Sequence, residues 1–282
     1  MSYQTLIDAA DLARLVEQGD LLVCDCRFDL NDPAAGRRGY RAGHIPGAVY
    51  VDLEQDLSAP PSGTNGRHPL PDRTTFAARM AELGVTRTGL VVAYDTVGGY
   101  YASRLWWMLR WAGHGQVAVL DGGLEAWVQS GRELEQGDRH APAGDFQASA
   151  EPRMPVTQVE GIETNLAEGE LLVVDARTAE RFAGAPHPLD AASGHIPGAS
   201  NRFWQNNLTP GGRFKPADAL AAEFRQLLGE REPGTTVHQC GSGVTATHNL
   251  LAMEIAGLGG SHLYPGSWSE WTSDPRRPIA KG

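Results

Sequence analysis

At 282 residues, with 41% hydrophobic and 21% charged side chains, the chain is too long for one average domain and too apolar for a disordered or fibrous class; at roughly 150 residues per domain it should hold about two. A formal charge of −10 supplies no basic face, so neither nucleic acid nor a membrane is expected as a partner, and any anionic ligand must be drawn in by local groups. Three cysteines, Cys24, Cys26 and Cys240, are too few and odd in number for a disulfide framework and fit a reduced compartment.

The start, MSYQTLIDAADLARL, has neither a cationic segment with an apolar run nor a small-residue cleavage site, and nowhere do about 18 apolar residues run together. A cytoplasmic protein is expected. The first apolar run, Leu21–Cys24, lies in LLVCDCR and is followed by RAGHIPGAVYVDL. Leu90–Tyr94 and Val117–Leu120 are similar runs, with a helical stretch at Arg104–Ala112 between them. After GRELEQGDRHAPAGDFQASAEPRMP, rich in Gly, Pro and charge, the pattern starts again: LLVVDAR, then SGHIPGASNRFW, with runs at Leu171–Val174, Val237–Gln239 and His262–Tyr264 and a helical stretch at Ala246–Ala256. From Asp25 to His44 is 19 residues and from Asp175 to His195 is 20, which marks a tandem duplication. The predicted layout is a domain over 1–130, a linker over 131–155 and a domain over 156–282. Runs apolar at every position suit strands covered on both faces, so each half should be an α/β domain with a small, mainly parallel sheet flanked by helices.

In such a fold, ligands sit beyond the carboxyl ends of strands, where a helix begins with unsatisfied amides. Cys240 follows the run VHQ, and Gly241-Ser242-Gly243-Val244-Thr245 leads into the helix. The double-glycine turn can fold into a cup of inward-pointing N–H groups around the sulfur. Lowering a thiol from a pKa near 8.5 to about 6.5 requires roughly 2.7 kcal/mol. A helix terminus supplies about 0.3–1 kcal/mol and each hydrogen bond to a charge roughly 1.5–3, so the loop amides should activate Cys240 more than the dipole. Free cysteines are often small core residues, but a core thiol does not need such a turn.

The duplicated halves, the paired GHIPGA segments and the loop CGSGVTA resemble the tandem-domain rhodanese and mercaptopyruvate sulfurtransferase family over essentially the whole chain. The resemblance implies a sulfurtransferase that carries sulfur as a Cys240 persulfide, with a silent N-terminal copy in which Asp95 takes the cysteine's place. Thiosulfate-preferring members carry basic residues just after the cysteine. Neutral Gly241 and Ser242 are similar to the mercaptopyruvate type. The implied partners are a small anionic sulfur donor and, as acceptor, cyanide or a thiol, either low-molecular-weight or on a thioredoxin-like protein. No cofactor and no metal are implied. In the family an arginine matching Arg181 binds the donor's carboxylate. A second family arginine has no match in AGAPHPLDAASG, which is about two residues shorter and offers His187 as the candidate substitute. Family members of this type group the serine matching Ser242 with a histidine and an acid from the N-terminal domain, which His68 in RHPLP and Glu54 in DLEQD resemble. That relay would imply a cleft between the domains.

Other reactive-looking residues read as structural. Arg177 repeats Arg27 of the silent half and should pair internally. His44 and His195 recur in both halves and should hold turns. Trp106, Trp107 and Trp111 fall at helical spacing and should pack. Cys24 and Cys26 share one side of a strand without the second pair a zinc site would need. Three alternatives stand beside this reading. A phosphatase of the cysteine, five residues, arginine type would need arginine where Ala246 stands. Thiosulfate:cyanide sulfur transfer on the same fold, and a persulfide relay module without small-molecule turnover, remain open.

Overall fold

The computed structural model describes residues 3–19 and 21–282, which divide into two compact units. Unit 1 comprises the chain up to Ser58 with Pro71–Arg153 and Pro210–Phe214. Unit 2 comprises Ala59–Leu70, Met154–Thr209 and Lys215–Gly282.

In unit 1 the elements run β1 (Leu6–Ile7), α1 (Ala9–Gln18), β2 (Leu21–Asp25), α2 (Ala34–Ala42), β3 (Val49–Tyr50), α3 (Arg73–Glu82), β4 (Leu90–Tyr94), α4 (Ala102–Trp111), β5 (Val117–Leu120) and α5 (Gly123–Gln129). The strands form one parallel sheet in the order β1-β5-β4-β2-β3. Local signals set the helix ends. Asp8 caps α1 by accepting the N–H of Asp11, Gly19 closes it in the left-handed region, and Asp72 caps α3 through the N–H groups of Thr74 and Thr75. Alternate residues of the central strands, Val92 with Tyr94 and Ala118 with Leu120, enter one core with Ile7, Leu12, Ile45 and Trp127.

Unit 2 repeats the plan with α6 (Val159–Glu168), β6 (Leu172–Asp175), α7 (Ala179–Ala183), β7 (Ser200–Asn201), α8 (Ala217–Leu228), β8 (Thr236–Gln239), α9 (Ala246–Ile255), β9 (His262–Leu263) and α10 (Ser267–Trp271). Its parallel sheet has the order β7-β6-β8-β9, and a parallel bridge from Val156 to Leu263 stands where unit 1 has its fifth strand. All four residues of both β6 and β8 are buried, as strands with helices on both faces require. Each sheet is parallel and flanked by helices, as the two-period pattern in the sequence implies.

The stretch 131–155, expected as a linker, is a strap on unit 1 as far as Arg153. Glu135 exchanges backbone bonds of 2.9 Å with His44, Gly144 N–H donates to Ala81 at 2.8 Å, Ser149 N–H donates to Ala112 at 2.8 Å, and Phe146 is buried. Main-chain bonds of this kind satisfy the backbone without an apolar period, so composition alone does not reveal them.

Candidate active site

Cys240 is the first residue after β8, and the loop 240–245 carries the chain into α9. The side chain is 2% exposed, and Ser242, Val244 and Thr245 are buried with it, so the thiol lies deeper than a position at the mouth of a domain. The loop is pinned from α10. Cys240 N–H donates to Ser267 Oγ at 3.1 Å, and the carbonyls of Cys240 and Gly241 accept from the N–H groups of Trp268 and Ser269 at 3.0 Å each. Gly243 has φ +76°, and a Cβ there would stand 2.3 Å from the carbonyl oxygen of Pro265, so only glycine fits. Gly241 sits in a different setting. A Cβ on it would lie 3.0 Å from Nη2 of Arg67 and 3.3 Å from Nη2 of Arg181, so its bare backbone leaves room where two guanidiniums converge.

The matching loop of unit 1 contains an anion. Asp95 follows β4, and its carboxylate accepts from Val97 and Gly99 at 2.9 Å each, Tyr101 at 2.8 Å and Ala102 at 3.0 Å. Burial pushes this carboxyl up, and the four amides pull it back. Leu124 N–H donates to the Asp95 carbonyl at 3.0 Å just as Trp268 does to Cys240. A loop pinned in this way gathers four main-chain donors on one negatively charged group.

His68 belongs to unit 2 although it precedes the second repeat in sequence, because Ala59–Leu70 packs there. Its Nδ1 lies 2.8 Å from Ser242 Oγ, both residues being buried. The hydroxyl–imidazole pair expected from the sequence is therefore formed on the loop of Cys240. Glu54, the expected acid, is an exposed residue of unit 1 beside a recess of about 320 Å³ that Arg37, Arg38 and Arg41 also line.

Arg181 stands in α7, where Thr178 caps the helix by accepting its N–H at 3.4 Å. Its guanidinium donates Nε and Nη2 to Asp190 at 2.9 and 2.7 Å, while Asp190 also lies 3.5 Å from Nη1 of Arg177. For His187, the candidate substitute, the surroundings disfavour a cation. Burial, with the Arg181 charge next, lowers its proton affinity, and its Nδ1 accepts the N–H of Leu189 at 3.2 Å. Arg67, Ser267 and Asp190 are site residues that the sequence expectations lack. For Arg67 a signal was present, since it directly precedes His68 in GRHPLP.

The residues read as structural are so. Arg177 forms a buried fork on Asp175, donates to the Gly194 carbonyl at 2.7 Å and covers the ring of Trp268, while Arg27 makes the matching fork on Asp25 and a bond to the Gly43 carbonyl. His44 stacks on Tyr40 and donates Nδ1–H to its carbonyl at 2.8 Å, and His195 does the same with Phe182. Trp106, Trp107 and Trp111 are buried in unit 1, the last two stacked on each other. Burial, with the charge of neighbouring acids, pushes the thiols of Cys24 and Cys26 up, which leaves them protonated and inert. Among the described residues there is no group of three or more His, Cys, Asp or Glu that could hold a metal, and no helix is long and apolar enough to cross a membrane.

Comparison with known proteins agrees with this geometry. The family model of the rhodanese-like domain matches residues 8–130 and again 159–274. A Pseudomonas aeruginosa protein named "Probable 3-mercaptopyruvate sulfurtransferase" is 44% identical over 284 residues, covering 100% of both chains. The thiosulfate sulfurtransferase of Gallus gallus is 33% identical, with 95% of this chain and 93% of its own covered. The crystal structure of SseA from Escherichia coli, titled as that of a 3-mercaptopyruvate sulfotransferase, superposes with a TM-score of 0.80 at 33% identity, over 93% of this chain and 98% of its own. With both repeats matched and full-length relatives of one enzyme class, the chain belongs to the rhodanese-like family, as a two-domain sulfurtransferase.

Proposed function

We propose that the protein moves sulfane sulfur from 3-mercaptopyruvate to a thiol or cyanide acceptor through a persulfide on Cys240. One observation carries the choice of donor: the buried Ser242–His68 pair, 2.8 Å apart on the loop that bears Cys240. When the C–S bond of mercaptopyruvate breaks, its electron pair goes to carbon and charge spreads onto the ketone oxygen as an enolate. A neutral hydroxyl backed by an imidazole can donate a hydrogen bond to that oxygen and relay a proton, help typically worth about 10²–10⁴ in rate. Thiosulfate leaves as sulfite and has no use for that proton.

In the first half-reaction the Cys240 thiolate attacks the donor sulfur. An S–S bond forms, the C–S bond breaks, and the enolate takes a proton to become pyruvate. In the second, an acceptor thiolate attacks the outer sulfur, carries it away as a persulfide and returns Cys240 as thiolate. The role assigned to the amides of the Cys240 loop, holding a negative sulfur, is supported by the matching loop of unit 1, where four amides donate to the Asp95 carboxylate. Such a cycle suits a reducing cytoplasm, where low-molecular-weight thiols or a thioredoxin-like protein supply the acceptor.

Steady-state assays of pyruvate release from 3-mercaptopyruvate and thiocyanate release from thiosulfate test this. The expected result is ping-pong kinetics, a higher kcat/KM for mercaptopyruvate, and loss of both activities in Cys240→Ser. A higher efficiency with thiosulfate would replace the donor, turnover retained by Cys240→Ser would remove the nucleophile, and silence with both donors would favour a persulfide relay.

A further inference from the structure

The strand that leads to Cys240 ends on a buried side-chain amide. Gln239 is 0% exposed, and neither its Nε2 nor its Oε1 has a partner among the described residues. A buried amide left unbonded is costly, and native interiors rarely keep one. The matching position of unit 1 shows what such a side chain has to reach. There the register pairs Tyr94 with Asp25, and Tyr94 Oη donates to Asp25 Oδ2 at 2.6 Å while accepting the N–H of Ile45, in the GHIPGA turn, at 3.2 Å. In unit 2 the same register pairs Gln239 with Asp175, and the second GHIPGA turn carries Ile196. Side chains of a register pair lie on one face of a sheet, so Gln239 is directed as Tyr94 is.

Both groups that Tyr94 joins are left over in unit 2. Asp175 accepts only from Arg177, through its N–H, Nε and Nη2, whereas Asp25 accepts from Arg27 and from Tyr94. Ile196 is 0% exposed, and its N–H has no acceptor among the described residues. A glutamine amide ends well short of the place where a tyrosine hydroxyl stands. The Ile196 N–H, a lone pair of Asp175 and the Gln239 amide therefore surround the position of one hydroxyl oxygen.

We propose that unit 2 has a built site for one internal water at this position, which takes over the bonds of the Tyr94 hydroxyl. A water there accepts the Ile196 N–H, donates one hydrogen to Asp175 and bonds the Gln239 amide, which makes about three partners, as is usual for buried waters. Other occupants fit less well. A cation would face the Ile196 N–H, an anion would face the Asp175 carboxylate, and hydrocarbon would leave all three groups unbonded. Gln239 is the last residue of β8 and Cys240 is the next, so the strand end before the nucleophile is fastened to the Asp175–Arg177 fork and to the His195 turn by an exchangeable molecule, where unit 1 uses a fixed ring. The inference does not depend on the choice of sulfur donor.

Crystals of the full chain that diffract well enough to place ordered waters test it. The expected result is an oxygen peak within about 2.7–3.2 Å of Ile196 N, Asp175 Oδ2 and one amide atom of Gln239. In Gln239→Tyr the introduced hydroxyl should take that place and the peak should go. Magnetic relaxation dispersion of water oxygen, which counts long-lived internal waters in solution, should fall by one water in the same variant. A Gln239 amide bonded directly to Ile196 and Asp175 with no oxygen between them would overturn the proposal. So would a peak that persists beside the tyrosine, or an unchanged count. The wild-type crystal decides the matter alone should the tyrosine variant not fold.

Discussion

Ser267 and Gly123 occupy matching turns, with φ of 54° and 58°, and Ser267 is the one non-glycine residue in this region among those described. In a left-handed conformation a side chain costs about 1–2 kcal/mol, so the serine must contribute something a glycine does not. Its Oγ accepts the Cys240 N–H at 3.1 Å and donates to the Tyr264 carbonyl at 2.9 Å, two buried bonds of about 1 kcal/mol each. Ser267→Ala keeps the strain and loses both bonds, whereas Ser267→Gly loses the bonds and releases the strain. In urea denaturation the alanine variant should therefore be the less stable, by about 1 kcal/mol, the reverse of the usual ranking of these two residues. A milder alanine variant would mean that the turn is not strained. The Ser242–His68 bond makes a different kind of prediction. Ser242→Ala and His68→Gln should each lower kcat with mercaptopyruvate by about 10²-fold or more, and together little further, because both act on one proton. Fully multiplicative losses would separate the two residues.

At the level of elements, the repeated histidines tie a helix end to the turn that follows. His195 stacks on Phe182 with ring centroids 3.8 Å apart and donates Nδ1–H to its carbonyl at 2.8 Å, in the last turn of α7, while its backbone pairs with Ala280. Loss of one buried bond and one stacked ring should make His195→Ala about 2 kcal/mol less stable by urea denaturation while kcat is retained. A catalytic defect in a variant of undiminished stability would contradict this structural role. The same scale shows what the sequence made legible. The runs Leu90–Tyr94 and Val117–Leu120 are the strands themselves, and Leu171–Val174 is displaced by one residue from Leu172–Asp175, because buried parallel strands are apolar throughout. The edge pieces Leu6–Ile7, Val49–Tyr50 and Ser200–Asn201 are two residues long and carry no period to read. Cys240 and its loop were singled out by a double-glycine turn after an apolar run, and Ser242, His68 and Arg181 by the family resemblance; the structure places Ser242 and His68 2.8 Å apart on that loop. Arg67 carried only its place beside His68 as a signal, since an arginine's position is fixed by which unit its segment joins, and Ala59–Leu70 joins unit 2 through contacts such as the bond from the Arg67 N–H to Ser269 Oγ.

For the whole molecule, acid should be destabilising well above the usual carboxylate range, because each unit buries a histidine in its neutral form. Burial, with the Arg202 charge next, holds His238 of β8 down to about 3, and burial likewise lowers His114 in unit 1. A histidine depressed in the folded state contributes stability that is complete above its unfolded value of 6.5 and is lost as pH falls from there toward the folded value. For one such group the slope reaches about 1.4 kcal/mol per pH unit. Two effects oppose it. The charge of −10 shrinks as the pH approaches the pI near 5.3, but repulsion between surface charges is screened beyond ~8 Å at physiological salt. Burial also raises the carboxyls of Asp95, Asp121 and Glu270, and a raised carboxyl favours the folded state increasingly as pH falls through its folded value, so these groups oppose the histidines. The histidine contribution is therefore read from the difference between the wild type and a His238 variant between about pH 6.5 and 4.5. Urea midpoints should fall more steeply with acid across this window in the wild type than in His238→Leu, which replaces a neutral buried ring by hydrocarbon. Parallel slopes in the two proteins would show that His238 takes up no additional proton on unfolding and that the acid sensitivity, if present, arises elsewhere.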